Sequence, residues 1–213
     1  MLKIWGRADS SNVQAVMWCV GELALPHTRV DVGHRFGGTD TAEFIAMNPN
    51  RTVPVIEDDG ITPLWESGAI LRYLAARYGT GPFWPADPRA RADVDRWAEW
   101  AKINTSLGFT GPVFWPVIRT PKANQNPAAI ATGVTTLEAK FAIAEARLAR
   151  HPWLAGDDFT LADIQFGTIL YRYFTIPIAR APLPALRAYF DRLTDRPAYR
   201  THVMVPYDAL RAD

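Results

Sequence analysis

The stretch 50-NRTVPVIEDDGITPLWES-67 decides how this chain folds. Val53, Val55 and Ile56 read as a strand, Asp58-Asp59-Gly60 as a hairpin turn, and the apolar run after it as the return strand. Pro54 complicates that reading, because proline has no N–H for a sheet ladder and is confined to strand starts, edges and bulges. An X-Pro bond takes the cis form at a cost of only about 0.5–1 kcal/mol, against roughly 2.5–4 for other residues. A cis turn would point the backbone N–H and C=O of Val53 out from the sheet edge, where they can pair with the backbone of a peptide-like ligand. Past the hairpin, Glu66-Ser67 opens a helix, "ESGAILRYLAARYG". Its first-turn N–H groups and the Ser67 hydroxyl attract a carboxylate, and Glu66 can pair with an amine. One amine and one carboxylate make an α-amino acid headgroup. Taken singly, Pro54 starts an ordinary edge strand and Ser67 caps an ordinary helix; the ordered combination is what carries information.

Working outward, residues 2–5, "LKIW", predict a strand, and "DSSN" supplies helix-capping chemistry ahead of a stripe of Val13, Val16, Met17, Val20, Leu23 and Ala24. "HTRVDV", 27–32, predicts a second strand, and "FGGTDTAEFIAMNP" a glycine-rich loop and a short helix stopped at Asn48-Pro49. The order β-α-β-α-β-β-α within 1–80 implies a small mixed four-stranded sheet with helices packed on it. Prolines and glycines in "TGPFWPADP" mark a linker over 81–88. Beyond it, residues 88–108, 127–151, "TLADIQFGTILYRYF" and "PLPALRAYFDRLTDRPAYR" all carry helical stripes, so 89–213 is expected to be an all-α bundle.

Composition excludes several function classes. Lys plus Arg, 23, nearly cancels Asp plus Glu, 22, and acids interrupt the arginines of "PRARADVDRW", so nucleic acid and charged membranes are not expected partners. No apolar run approaches the roughly 18 residues of a spanning helix, and "MLKIWGRADSSN" lacks a signal-peptide core, which points to the cytoplasm. The single Cys19 excludes an internal disulfide, and with His27, His34, His151 and His202 widely spaced no metal site is expected.

These residues resemble a soluble glutathione S-transferase. "NPNRTVPVIEDDG…LWESGAILRYLAARYG" is similar to that family's stretch around its cis-proline and Glu-Ser pair, and "FTLADIQFG", with Thr160 and Asp163 as a capping box, to its C-terminal helical signature. The similarity spans essentially the whole chain. It implies a thioredoxin-like glutathione-binding domain followed by a helical domain, glutathione as co-substrate, and a homodimer. Val53, ahead of Pro54, would hold the cysteinyl backbone of glutathione, and Glu66 and Ser67 its γ-glutamyl end. Ser10 matches the catalytic serine of theta-like enzymes and Asn12 an asparagine used near the sulfur in bacterial nu-like members; "RADSSNVQAV" resembles a bacterial subgroup with this spacing.

The chemistry suits those residues. An unperturbed thiol has a pKa of about 8.5, and lowering it by two units takes about 2.7 kcal/mol of preferential stabilisation of the anion. A hydroxyl and an amide donating to sulfur beside a helix N-terminus can supply it. "DSSN" is equally a plain helix cap, and Ser11 remains a weaker candidate. No tyrosine lies between Ile4 and Asn12, which disfavours tyrosine-using classes. Arg51-Thr52 stand where relatives carry Gly and a polar residue, and the loop lacks the His-Lys pair some classes place near the glycyl carboxylate. That end is left to Thr39, Thr52 or Arg51. The second, hydrophobic substrate is expected between the two halves, over Ser10, against Phe109, Phe114 and Trp115; Pro112 and Pro116 take Phe114 and Trp115 out of helical period, whereas Trp97 and Trp100 read as bundle core. The resemblance implies conjugation of glutathione thiolate to an electrophile. Isomerase, dehalogenase or disulfide reductase chemistry, or a non-catalytic binding module, are alternatives on the same scaffold.

Overall fold

In the computed structural model, which describes residues 1–212, β1 (Leu2–Trp5) pairs in parallel with β2 (His27–Val30) and antiparallel with β3 (Val55–Glu57). β4 (Leu64–Trp65) completes the sheet in the order β2-β1-β3-β4. Asp213, the last residue of the expected helical domain, lies outside the described residues. Pairing through β3 begins at Val55, opposite Trp5, so Pro54 stands just ahead of the ladder and costs it no bond. β2 is two residues shorter than its sequence suggests. Beyond Trp5 the pairing continues only as Gly6 N–H to the Val30 carbonyl, 2.9 Å, and Arg7 N–H to the Val32 carbonyl, 3.2 Å.

The alternation of strand side chains assigns two faces. Trp5 and Val55 share one with Val32 and with Phe44 of α2 (Ala42–Met47) in a single apolar cluster. Ile4 and Ile56 take the other and are completely buried. So are the inward stripes of α1 (Ser11–Glu22) and α3 (Ser67–Tyr78), which pack on one another.

The rest of the chain is helical. α4 (Pro88–Trp100) starts at Asp87, whose carboxylate accepts the Ala90 N–H at 2.9 Å, with Pro88 in the first turn where its missing N–H costs nothing. The helix then continues in wide turns over Ala101–Ser106 and Thr110–Arg119, around the single α turn α5 (Leu107–Phe109). The Leu107 N–H reaches the Lys102 carbonyl, five residues back. Proline inside an α-helix clashes with the carbonyl four residues before it, and wider turns relieve that clash, so Pro112 and Pro116 are accommodated without ending the helix. This corrects the expectation that Phe114 and Trp115 leave the helical period. α6 (Pro127–Leu148), α7 (Leu161–Gly167), α8 (Leu170–Thr175), α9 (Pro184–Thr194) and α10 (Pro197–His202) follow. Among the described residues no helix is long and apolar enough to cross a membrane.

Two compact units result: 1–80 together with 197–205, and 81–196 together with the chain from Pro206. The expected helical domain of 89–213 therefore gives up α10 to the first unit. Trp18 of α1 meets Tyr199 edge-on at 4.7 Å, and a β-carbon on Gly21 would stand 2.9 Å from the His202 ring, so α10 lies directly on α1.

In the second unit the capping box at Thr160 is the centre of a larger network. Asp163, fully buried, accepts from the Thr160 N–H and hydroxyl on one oxygen and from the Leu154 N–H and the Tyr189 hydroxyl on the other. Four donors on a single carboxylate join the loop before α7, α7 itself and α9. Asp163→Ala strands all four donors, and a loss of roughly 3–5 kcal/mol in urea unfolding is expected with an unchanged denaturant slope. A loss under about 1 kcal/mol would show that the network is replaceable by water.

Candidate active site

In the first unit, the ends of β1 and β2, the start of α1, the residues before β3 and the start of α3 carry the sequence-predicted residues. Val53 is the hub. A β-carbon on Gly6 would lie 2.4 Å from a Val13 methyl and 3.3 Å from the Val53 Cβ; one on Gly33 would lie 3.5 Å from Val53 and 3.6 Å from the Thr39 methyl. Val53 therefore lies between the loop that leads to Ser10 and Thr39, and the approach on the Gly6 side is one that only a glycine permits. The Val53-Pro54 bond is cis, as its sequence context suggested.

Ser10 is the N-cap residue of α1, with φ −88° and ψ 124°, and its carbonyl accepts the Gln14 N–H at 2.8 Å. Its hydroxyl, however, makes no capping bond. A serine acting as a cap would spend that hydroxyl on the first-turn N–H groups, and here it does not. Ser10 is 9% exposed, and Asn12, one residue into the helix, is exposed. The Ser67 hydroxyl, at the first residue of α3, reaches the Asn12 side-chain oxygen at 3.5 Å, so the starts of α1 and α3 converge. Both helices are 12 residues long and point positive ends into this region. Glu66 precedes Ser67 with φ +68°, a region that disfavours L side chains, and its own carboxylate does not cap the helix. The strained residue is exposed with its charge available.

Arg51 and Thr52 belong to a turn organised by Asn48, which the sequence showed only as a helix stop. The Asn48 amide donates to the Thr52 carbonyl at 2.8 Å and to its hydroxyl at 3.2 Å, while its oxygen accepts the Asn50 N–H at 3.0 Å. A buried Asn ahead of a proline is a recognisable turn signal. Thr52 is thereby held beside Val53, and Arg51, at φ +56°, is exposed.

Asp9 has a role beyond helix capping. It is 4% exposed and bonds the Arg7 guanidinium at 2.6 Å with one oxygen and that of Arg35 at 2.7 Å with the other. Burial pushes its pKa up, but the two guanidiniums outweigh burial and hold the carboxyl below its ordinary value. Cys19 is fully buried, and burial pushes its thiol far up, so it has no thiolate to offer.

Of the residues expected to face a second substrate, Phe109 and Phe114 are each 1% exposed. Phe109 meets Phe114 and Tyr173, and the Arg172 guanidinium lies 4.7 Å over the Phe114 ring, so both are bundle core and not an open wall. Along the same helical stretch Trp115 faces outward, 49% exposed, with the Arg119 guanidinium 5.4 Å over its ring. None of the three lines the large cavity of the second unit, about 980 Å³, which is walled by Ile118, Ile130, Val134 and Ile178 with Glu138 and Arg180 at its polar side.

Two family models match the chain, the glutathione S-transferase N-terminal domain over residues 9–77 and the glutathione S-transferase C-terminal domain over 109–197. The chain belongs to the glutathione S-transferase family. Among curated relatives, glutathione S-transferase GstB of Escherichia coli K12 is 39% identical over 207 residues, covering 97% of this chain and 99% of that protein. The disulfide-bond oxidoreductase YfcG of the same organism is 32% identical, covering 90% and 89%. Among solved structures, the theta class glutathione S-transferase of Xanthomonas axonopodis pv. citri with glutathione bound is 42% identical with a TM-score of 0.90, covering 96% of this chain and 98% of that one. The four-stranded mixed sheet and the helices packed on it within 1–80 have the thioredoxin-like fold of the family's N-terminal domain.

The Asp9 ion pairs set a pH dependence. Because its pKa is lowered on folding, the stabilisation is present at neutral pH and lost as pH falls through the carboxylate range below about 4. Asp9→Asn is expected to cost about 2 kcal/mol at pH 7, with the difference from wild type shrinking toward pH 3 in denaturant titrations. A difference independent of pH would show that the charge of Asp9 is not what holds the two arginines.

Proposed function

We propose that this transferase-family chain conjugates the thiolate of glutathione to electrophilic, hydrophobic small molecules. The observation that carries the reading is the Ser10 hydroxyl, placed at the head of α1 and not spent on capping it. There it can donate to a thiol sulfur, with the α1 dipole adding positive potential, and favour the thiolate near neutral pH. Asn12, held beside Ser67, is the second donor. The Val53 backbone, ahead of the β3 ladder, pairs with the cysteinyl backbone of the tripeptide. The α3 N-terminus with Ser67 takes the γ-glutamyl carboxylate, and Glu66 takes the amine. The thiolate then attacks an electrophilic carbon, the new C–S bond forming as the leaving group departs with its electron pair. Trp115, the outward member of the three aromatics first singled out, is the one left to meet an apolar co-substrate.

A homodimer fits the exposed Ile103 and Leu107, one turn apart on the wide-turn helix at 55% and 59% exposure. A cytoplasmic location fits a chain whose one cysteine is free and buried. The 32% identity to a disulfide-bond oxidoreductase favours a second reading, in which the same thiolate attacks a disulfide sulfur. Both readings use the same site, and the co-substrate separates them.

Isothermal titration with glutathione, followed by conjugation of a chloro-nitroaromatic compound, tests the transferase reading. Ser10→Ala is expected to lower kcat about tenfold to a hundredfold, corresponding to one to two pKa units lost at the thiol, while the Kd for glutathione changes less than about twofold. Unchanged turnover would move thiolate stabilisation to Asn12. Ser67→Ala and Glu66→Ala are each expected to weaken glutathione binding about tenfold in a folded protein. Tight binding without conjugation, but with turnover of a mixed disulfide, would select the reductase.

A further inference from the structure

α10 meets α1 through an apolar contact, Trp18 on Tyr199, and through an ionisable one. His202, the last residue of α10, lays its ring against Gly21, near the end of α1. A β-carbon on Gly21 would stand 2.9 Å from the ring Cδ2 and 3.0 Å from Nε2, so the half-buried imidazole sits where no other side chain of α1 leaves room. His27, the first residue of β2, places its own ring 6.4 Å away at 68°. Six residues of helix are too few to hold their shape alone, so the order of α10 depends on this docking.

The groups that face His202 do not welcome a proton there. From β2 come His27 and Arg29, whose guanidinium is anchored to the Gly6 carbonyl at 2.8 Å and paired with Asp31. A carbonyl only accepts, so the Nδ1 of His27 directs its hydrogen to Leu25 at 2.9 Å, and Nε2 is the atom left to take a proton. From α1 comes Glu22, beside Gly21, but its carboxylate accepts the Trp18 indole N–H at 2.8 Å. α10 itself adds Arg200. Among the described residues His202 forms no hydrogen bond or ion pair. The carbonyls that end a helix favour cations, yet those of Cys19, Val20 and Gly21 already accept from Leu23, Leu25 and Ala24. Burial, followed by His27 and Arg29, holds the His202 ring below the ordinary imidazole value.

We propose that His202 makes the docking of α10 on α1 an acid-sensitive latch, closed while the ring is neutral and loosened when it takes a proton beside His27 and Arg29. The sign follows from linkage. A base whose pKa is lowered by folding gives stability that is complete above its unfolded value, about 6.5, and that is lost as pH falls through the folded one. The latch is independent of glutathione, so it stands or falls apart from the function proposed above.

Hydrogen exchange read by mass spectrometry, with labelling times scaled to equal intrinsic exchange at about pH 7.5 and about pH 5.5, tests it. In wild type, residues 197–205 and the facing residues 18–21 are expected to lose protection about threefold to tenfold at the lower pH, while β3 and α3 keep theirs. His202→Asn is small enough for Gly21 and uncharged at both pH values, and it is expected to protect α10 equally at both, whatever the level. The ratio is taken within each variant, so weaker docking in His202→Asn does not mimic the result. In NMR titrations the His202 ring is expected to titrate below about 6.5 in wild type. His27→Asn, whose amide still donates to the Leu25 carbonyl, is expected to move that midpoint up. Equal protection of wild-type α10 at the two pH values, a pH dependence that survives in His202→Asn, or a loss shared by β3 and α3 overturns the latch. So does a His202 midpoint at or above the ordinary value.

Discussion

Everything in the first unit's site depends on how closely backbone can approach the side chains of Val53 and Val13. Gly6 and Gly33 have no β-carbon, and at Gly6 one would overlap Val13 at 2.4 Å. With both positions bare, the end of β1, the exit from β2 and the residue before β3 come together at one point. The start of α1 follows from the first of these, and the chain reaches the site residues from there. A larger residue at Gly6 would overlap Val13 and press on Val53, while at Gly33, with φ +89°, a side chain would strain the backbone of the turn, and either change disturbs the site without touching a reacting group.

Polar groups in this region hold one another in place. Asn48 fixes Thr52, Asp9 fixes Arg7 and Arg35, and the Ser67 hydroxyl reaches Asn12. The Ser10 hydroxyl stands apart in not being used to cap its own helix. Preorganised supports around one uncommitted donor are what stabilisation of a thiolate requires, because a donor already satisfied by the protein gains nothing when the charge appears. Glu66 is held at φ +68° beside the α3 start, a disfavoured region for an L side chain that the surrounding turn must impose.

The second unit shows a different economy. Pro112 and Pro116 would break an α-helix, yet the chain stays helical by widening its turns, and the widening decides which aromatic faces inward. Phe109 and Phe114 join the ring-on-ring core with Tyr173 and Tyr207, while Trp115 is left at the surface. Asp163 plays the part of a buried keystone, with four donors from three residues on one carboxylate.

Local physics made much of this legible beforehand. Strand alternation, the Asp-Asp-Gly turn, the proline ahead of β3, the Glu-Ser helix start and the Thr160 capping box are set by neighbours within four or five residues, and the order of elements with the family resemblance follows from them. The misread parts depend on partners far along the chain. Asp9 meets Arg35 across 26 positions, and α10 returns to α1 from the far end of the sequence. A capping pattern such as "DSSN" states which residues can cap but not which one is spared, and a proline-bearing helix does not declare its turn width. The sequence by itself determined the elements, their order and the candidate donors, because propensity and capping are short-range. Which hydroxyl is left out of its helix cap, which arginines pair with Asp9 and which phenylalanines are buried was decided only by the tertiary structure, because each depends on what long-range packing brings within bonding distance.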